Sequence, residues 1–165
     1  MNSPVNFLKQ SDIFYQLTPT QFELVANLCQ EVVFNAGDIV FEENSGSKEL
    51  YVIVEGEVDI LINRTTAGDR GKKETAIARL RRGQSFGEVA LVDEGLRSAT
   101  ARAIQKDTRL LVIQRDKLMM LCETYPQLGY RLMYNLAADL AMKIRNNGLQ
   151  IREQLLYQQQ DKNKV

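Results

Sequence analysis

Between Glu31 and about Gln114, short runs rich in Val, Ile, Phe and Tyr alternate with glycines at 37, 46, 56, 68, 71, 83, 87 and 95. Leu50 to Val54 and Val58 to Ile62 are the clearest of these runs. Short strands broken this often by turn residues predict an all-β unit of the sandwich, barrel or jelly-roll kind. No ten-residue helical pattern interrupts the stretch, so βαβ units and a Rossmann-type parallel sheet are not expected. Thr65 to Lys73 reads as the polar tip of a hairpin.

Both flanks read as helix. Residues 5–30 carry the apolar anchors Phe7, Phe14 and Leu17, and Thr18 or Thr20 beside Pro19 can cap a segment bearing Phe22, Leu24, Val25 and Leu28. After Arg115 the spacing predicts one helix over 115–122 and a longer one from Pro126 to about Tyr157. Leu128, Leu132, Leu136, Leu140 and Ile144 form an i, i+4 stripe, which Ile151 and Leu155 extend after a break at Asn146-Asn147-Gly148. The polar end, 158–165, is expected to fray. The chain of 165 residues is the size of one domain.

Composition narrows the chemistry. The sequence holds no histidine, which removes His-based acid–base catalysis, Ser-His and Cys-His nucleophiles and the commonest metal ligand. Twenty-one basic residues balance twenty-one acidic ones, without the basic excess usual in nucleic-acid-binding domains. Cys29 and Cys122 lie far apart with no CxxC spacing, so they read as buried thiols of a reducing cytoplasm. Met1 to Pro4 does not open a signal peptide, and no run approaches a membrane span. A cytoplasmic binding domain, not an enzyme, is expected.

Two motif matches fail on their context. Gly83-Gln84-Ser85-Phe86-Gly87 fits the GxSxG nucleophile elbow, but that motif needs a strand-to-helix turn on a parallel sheet and a histidine. Gly71-Lys72-Lys73 resembles the end of a P-loop, yet Thr66 stands where the first glycine belongs and Lys73 where Ser or Thr does. EF-hand spacing is absent as well, so no metal is implied.

Phe86-Gly87-Glu88-Val89-Ala90-Leu91 and Arg97-Ser98-Ala99-Thr100-Ala101 carry more. Gly87 permits close backbone approach to a ligand. Glu88 to Leu91 can make one helical turn whose free N–H groups face an anion. Arg97, among small residues, has room to fork onto phosphate oxygens. A carboxylate and a guanidinium framing such a nest suit a ligand with a phosphate and sugar hydroxyls. The alternative is a surface turn in which Glu88 and Arg97 merely pair.

This segment closely resembles the phosphate-binding cassette of cyclic-nucleotide-binding domains, as in the catabolite activator protein and the regulatory subunits of cAMP-dependent protein kinase. The family's upstream signature also appears, as Gly37-Asp38-Ile39-Val40-Phe41 and then Leu50 to Val58. The resemblance runs from about Phe14 to Ile144. It implies an eight-stranded antiparallel β-roll of jelly-roll type with N-terminal helices and a long C-terminal helix. The implied organisation is an N-terminal helical segment at 1–30, the roll at 31–114, C-terminal lid and dimerisation helices at 115–157 and a frayed tail at 158–165.

The resemblance also implies roles. Arg97 would bind the exocyclic phosphate, with backbone N–H groups from Gly87 and Ala90 and a backbone donor or hydroxyl from Ser98. Glu88 would accept the ribose 2′-hydroxyl. Ile60, Ile77 and Leu80 sit where the family lines its base pocket, although ordinary core is an equal reading of all three. Asn44 and Ser47 stand where the family often has glycine, with Gly46 between them, so a rearranged loop is expected. Leu96 replaces the usual proline before the arginine. In the activator a Thr-Ser pair on the long helix contacts the base; the corresponding positions here are about Lys143 and Ile144, so base recognition must differ.

The implied ligand is cyclic AMP in preference to cyclic GMP, with the bacterial-like Arg97-Ser98-Ala99 run favouring the former. About twenty residues follow Ile144, too few for the DNA-binding domain of the activators. The expectation is a sensor that signals through its C-terminal helix to a downstream protein partner. Ala137, Leu140, Ile144, Ile151 and Leu155 have the spacing of a two-helix seam, with Asn147 on it. A parallel homodimer over 137–155 is expected, with Lys143 or Asn147 near the base. The competing expectation is a structural or interaction protein that keeps the roll and binds no nucleotide.

Overall fold

The computed structural model describes residues 3–64, 73–93 and 95–162, leaving aside the side chains of Arg64, Asn147, Gln150, Ile151 and 153–162. Eight antiparallel strands form two four-stranded sheets, with helices at both chain ends. The first sheet has the order β1 (Gln30–Phe34), β8 (Thr108–Gln114), β3 (Glu49–Glu55), β6 (Ser85–Phe86). The second runs β2 (Ile39–Phe41), β7 (Thr100–Ala103), β4 (Glu57–Arg64), β5 (Lys73–Arg81). Apart from Lys73, the expected hairpin tip Thr65 to Lys73 lies outside the described residues.

Strand β3 explains the arrangement. Its residues from Tyr51 to Val54 are buried without alternation, because both faces of the strand are covered. Leu50, Val52 and Val54 point to the helices, where they join Leu111 and Ile113 of β8. Tyr51 and Ile53 point to the opposite sheet and pack with Val58, Phe86, Ala101 and Leu110. The molecule therefore has two apolar cores sharing one wall.

The N-terminal residues do not form one helix. They split into α1 (Pro4–Leu8), a 3-10 turn (Asp12–Phe14) and α2 (Pro19–Ala26). Thr18 is the residue that caps α2: its hydroxyl accepts from Gln21 N at 3.3 Å while Gln21 Oε1 accepts from Thr18 N at 2.9 Å. The chain turns between the two helices because Gln16 adopts a left-handed backbone, φ 61°. Buried Asn135 holds this corner, its side-chain amide donating to the carbonyls of Ile13 (3.1 Å) and Tyr15 (2.8 Å).

Helix α3 (Arg115–Thr124) leads to α4 (Pro126–Lys162). α4 runs as one helix through Asn146-Asn147-Gly148, where the apolar stripe is interrupted, and continues beyond Tyr157 into the segment expected to fray. Asn and Gly lower helix propensity by only about 1 kcal/mol or less each, and the surrounding Leu, Lys, Arg and Gln are strong helix formers. Leu128, Leu132 and Leu136 bury against α1, α2 and α3, and Leu140 packs on the same cluster. Leu140, expected on an outward seam, is thus partly buried against that core. Tyr130, Tyr134, Ala137, Ala141, Ile144 and Gly148 are among the exposed residues of α4, as are Met142 and Leu149.

Gly56 turns β3 into β4 with φ +87°, and a Cβ there would lie 2.9 Å from Thr108 Cα. Gly56→Ala is expected to lower unfolding free energy by about 1–3 kcal/mol, read as a lower urea midpoint at unchanged slope.

Candidate functional site

A cavity of about 440 Å³ opens between the second sheet, the turn after β6 and α4. That is within the usual size of small-ligand pockets. Its walls include Gly87, Glu88, Ala90, Arg97, Ser98, Ile60, Ile77, Leu80 and Lys143. Residues as far apart in sequence as Ile60 and Lys143 are therefore gathered around one space. Asn147 is the remaining sequence-predicted site residue, and its side chain lies outside the described part.

Gly87 makes the geometry possible. Its left-handed backbone (φ 79°) ends β6 and starts the 3-10 turn Glu88–Leu91. A Cβ at this point would lie 2.8 Å from both Arg97 Nη1 and the Glu49 carbonyl oxygen. Only glycine lets the turn, β3 and the arginine meet at this spacing. The Gly87 carbonyl then accepts from Arg97 Nη1 at 3.2 Å and from Ala90 N at 3.2 Å. The Ala90 N–H, expected as a ligand donor, is accordingly engaged inside the turn.

Arg97 is 6% exposed. Its Nε donates to Ser47 Oγ at 2.8 Å and its Nη2 to the Glu49 carbonyl at 2.7 Å, and its guanidinium lies 4.1 Å from the centre of the Phe41 ring. Phe41 in turn packs with Tyr51 and Phe86 at centroid distances of 5.6 and 5.9 Å. Three of the five guanidinium N–H donors are spent in this way, leaving others for an anion. The nearest carboxylate oxygen, Glu49 Oε2, stands 3.8 Å away. Burial pulls the Arg97 pKa below its ordinary value, against the raising influence of Tyr51, Glu49 and Glu88. Arginine nonetheless remains charged, so the cavity wall carries a dehydrated cation with incomplete counter-charge.

Glu88 is also 6% exposed, but it does not pair with Arg97. Its carboxylate bonds instead to the ammonium of Lys143 from α4, which also reaches Asp139 at 2.8 Å. Burial disfavours the charged ammonium, but the two carboxylates outweigh it and raise the Lys143 pKa. Lys143, expected near a base, is thus turned to the carboxylate. Ile60 and Leu80 are half-buried and Ile77 is 55% exposed, so Ile77 is not ordinary core. Asn44 takes the left-handed conformation (φ 65°), and its N–H donates to the Arg97 carbonyl at 2.7 Å.

Sequence reasoning missed Phe41, Ser47, Glu49 and Asp139. Phe41 lies inside the quoted upstream signature and could have been singled out as an aromatic face for the arginine. Ser47 and Glu49 act across fifty positions, Glu49 chiefly through its backbone, and no local pattern signals that. A second cavity of about 450 Å³ lies by α2 and the start of α4. Its one charged residue, Arg131, rests over Tyr130 and Tyr134, and no buried ionic group faces it.

Residues 31–125 match the family described as Cyclic nucleotide-binding domain, and the chain belongs to that family. The Cyclic AMP receptor protein of Thermus thermophilus is 33% identical over 144 residues, 87% of this chain and 62% of that protein. The cAMP-dependent protein kinase regulatory subunit of Schizosaccharomyces pombe is 32% identical over 112 residues, 68% of this chain and 24% of that protein. The chain therefore spans under two thirds of these curated relatives. The crystal structure of the Thermus thermophilus Catabolite Activator Protein superposes with a TM-score of 0.72 at 31% identity, covering 85% of this chain and 61% of that one. Among the described residues no helix is long and apolar enough to cross a membrane, and no group of His, Cys, Asp and Glu could hold a metal ion.

Gly87→Ala is expected to destabilise the fold by about 1–3 kcal/mol and to push Arg97 off the Gly87 and Glu49 carbonyls. Urea denaturation measures the first effect, and a crystal structure of the variant the second.

Proposed function

We propose that this domain is a cytoplasmic cyclic AMP sensor without catalytic activity, which signals to a protein partner by rearranging α4. In this reading the exocyclic phosphate lies against Arg97 and Ser98, beside the Gly87 to Ala90 turn, and the ribose 2′-hydroxyl donates to Glu88. Ala90 lends its N–H only by sharing it with the Gly87 carbonyl. Ile60, Ile77 and Leu80 offer an apolar surface to the purine. The observation that carries the reading is the buried Arg97 guanidinium, with donors to spare and too little counter-charge, across one cavity from buried Glu88. A phosphate supplies the missing charge and a sugar hydroxyl suits the carboxylate. Preference for cyclic AMP over cyclic GMP draws support from the Arg97-Ser98-Ala99 run and from two relatives named for cyclic AMP. The nucleotide acts by binding two arrangements of α4 with different affinity.

The same reading includes a homodimer. Tyr130, Tyr134, Ala137, Ala141, Ile144 and Gly148 are spaced by fours and threes along the outward face of α4, and the sequence continues the repeat at Ile151 and Leu155. Ile144 is 71% exposed and Tyr130 66%. A stripe with this period is the seam of a two-stranded coil, and left in water it would be an exposed apolar strip. Gly148, and not Asn147, falls on the seam.

Calorimetry with cyclic AMP is expected to show binding without turnover. Arg97→Ala is expected to weaken it at least about tenfold, with partial recovery in Arg97→Lys, because the fork onto phosphate oxygens is charge-assisted. Wild-type affinity in the Ala variant overturns the site, and a tenfold preference for cyclic GMP in competition overturns the choice of base. Light scattering is expected to give a dimer, and Ala141→Glu with Ile144→Glu a monomer. A wild-type monomer at micromolar concentration overturns the seam.

A further inference from the structure

Lys143 joins the second half of α4 to the turn after β6. Its ammonium contacts Glu88, on the turn after β6, and Asp139, one helical turn back on its own helix. Among the described residues this is the ion pair that ties α4 to the β-roll. The partners differ sharply in environment. The Glu88 side chain is 8% exposed, while those of Asp139 and Lys143 are 23% and 48% exposed. Lys143 itself lines the cavity that holds Arg97, and it also lines a smaller neighbouring cavity with Asp139, Gln10 and Arg82.

We infer that Lys143 is a latch that competes with the ribose 2′-hydroxyl of a bound nucleotide for Glu88, so that binding frees α4 from the roll. The inference rests on Glu88 as the ribose acceptor. A buried carboxylate cannot be left without a partner, and a hydroxyl arriving from the cavity provides one. The ammonium it displaces need not be left unpaired, because Asp139 is already 2.8 Å away at the i−4 position. The exchange replaces an interhelical tie with an intrahelical one. Lys143 and Glu88 therefore connect occupancy of the cavity to the freedom of α4, which the proposed dimer seam would transmit.

The ammonium is the half-exposed end of the pair, and with Asp139 at hand it can leave Glu88 without losing its countercharge. Lys143→Met removes the competitor while keeping the apolar stem, and a melting curve of the variant checks that Glu88, left without its cation, does not unfold the domain. Calorimetric titration of wild type and Lys143→Met with cyclic AMP and with its 2′-deoxy analogue separates the possibilities. The variant is expected to bind cyclic AMP about threefold to fivefold more tightly than wild type, with no comparable gain for the 2′-deoxy analogue. Unchanged or weaker binding of cyclic AMP, or an equal gain for both ligands, overturns the latch while leaving the nucleotide site standing. Failure of wild type and variant alike to bind either ligand overturns the nucleotide reading and the latch with it.

Discussion

A guanidinium taken out of water must be met by acceptors on most sides, and the neighbourhood of Arg97 is organised around that requirement. Ser47 and Glu49 come from the chain entering β3, the Gly87 carbonyl from the turn after β6, and the Phe41 face from β2. Strands of both sheets therefore converge on one side chain. Its own backbone closes the loop: Asn44 N donates to the Arg97 carbonyl, and Arg97 N donates to the Ser45 carbonyl at 2.9 Å. The neutral acceptors satisfy donors without cancelling charge, which is the condition under which an incoming anion gains most.

The same convergence ties the site to the cores. Tyr51 sits in the inter-sheet core, stacked on Phe86 at 5.1 Å, and burial ahead of its neighbour Glu49 pushes its phenol up to about 12. Leu50 and Val52, on either side of Tyr51, bury in the helical core. A shift of β3 would disturb both cores and the arginine together. Close-packed interiors resist such shifts, so in the proposed function the roll is the rigid wall and the part of α4 beyond Leu136, tied by Lys143, is the element that would move.

How far the sequence disclosed this depends on the range of each interaction. Turn glycines and the strand runs are local patterns and predicted an all-β unit, while the family resemblance carried by the Phe86 to Ala101 cassette and the upstream signature implied the β-roll and the nine named residues that line one cavity. The Thr18 cap was legible because a capping box spans three residues. The Gln16 corner was not, since it depends on Asn135, about 120 positions away. The partner of Glu88 was likewise hidden: charge complementarity suggested Arg97, but only the path of α4 selects Lys143. Leu140, expected on a helix–helix seam, packs partly buried on the helical core, because a period of fours and a period of threes and fours coincide over two turns and only burial separates them.

Helix α4 answers to three environments at once. Leu128, Leu132 and Leu136 fix it to the helical core, Asp139 and Lys143 turn toward the cavity, and Tyr130, Tyr134, Ala137, Ala141 and Ile144 face outward. The first anchor is apolar and deeply buried, and a truncation there costs about 2–5 kcal/mol, whereas the Lys143 tie ends on a half-exposed ammonium that has a second carboxylate at hand. The helix is therefore held firmly up to Leu136 and weakly beyond it. This difference places any ligand-driven movement in the segment after Leu136, which is also where the outward stripe passes from aromatic to small residues. Small residues let two helices approach closely, so a modest change in the angle of that segment alters the helix–helix contact more than the same change would under bulky side chains. In the proposed function, this division of α4 into a fixed half and a loosely tied half is what would let an event at Glu88 reach a second molecule without disturbing either core.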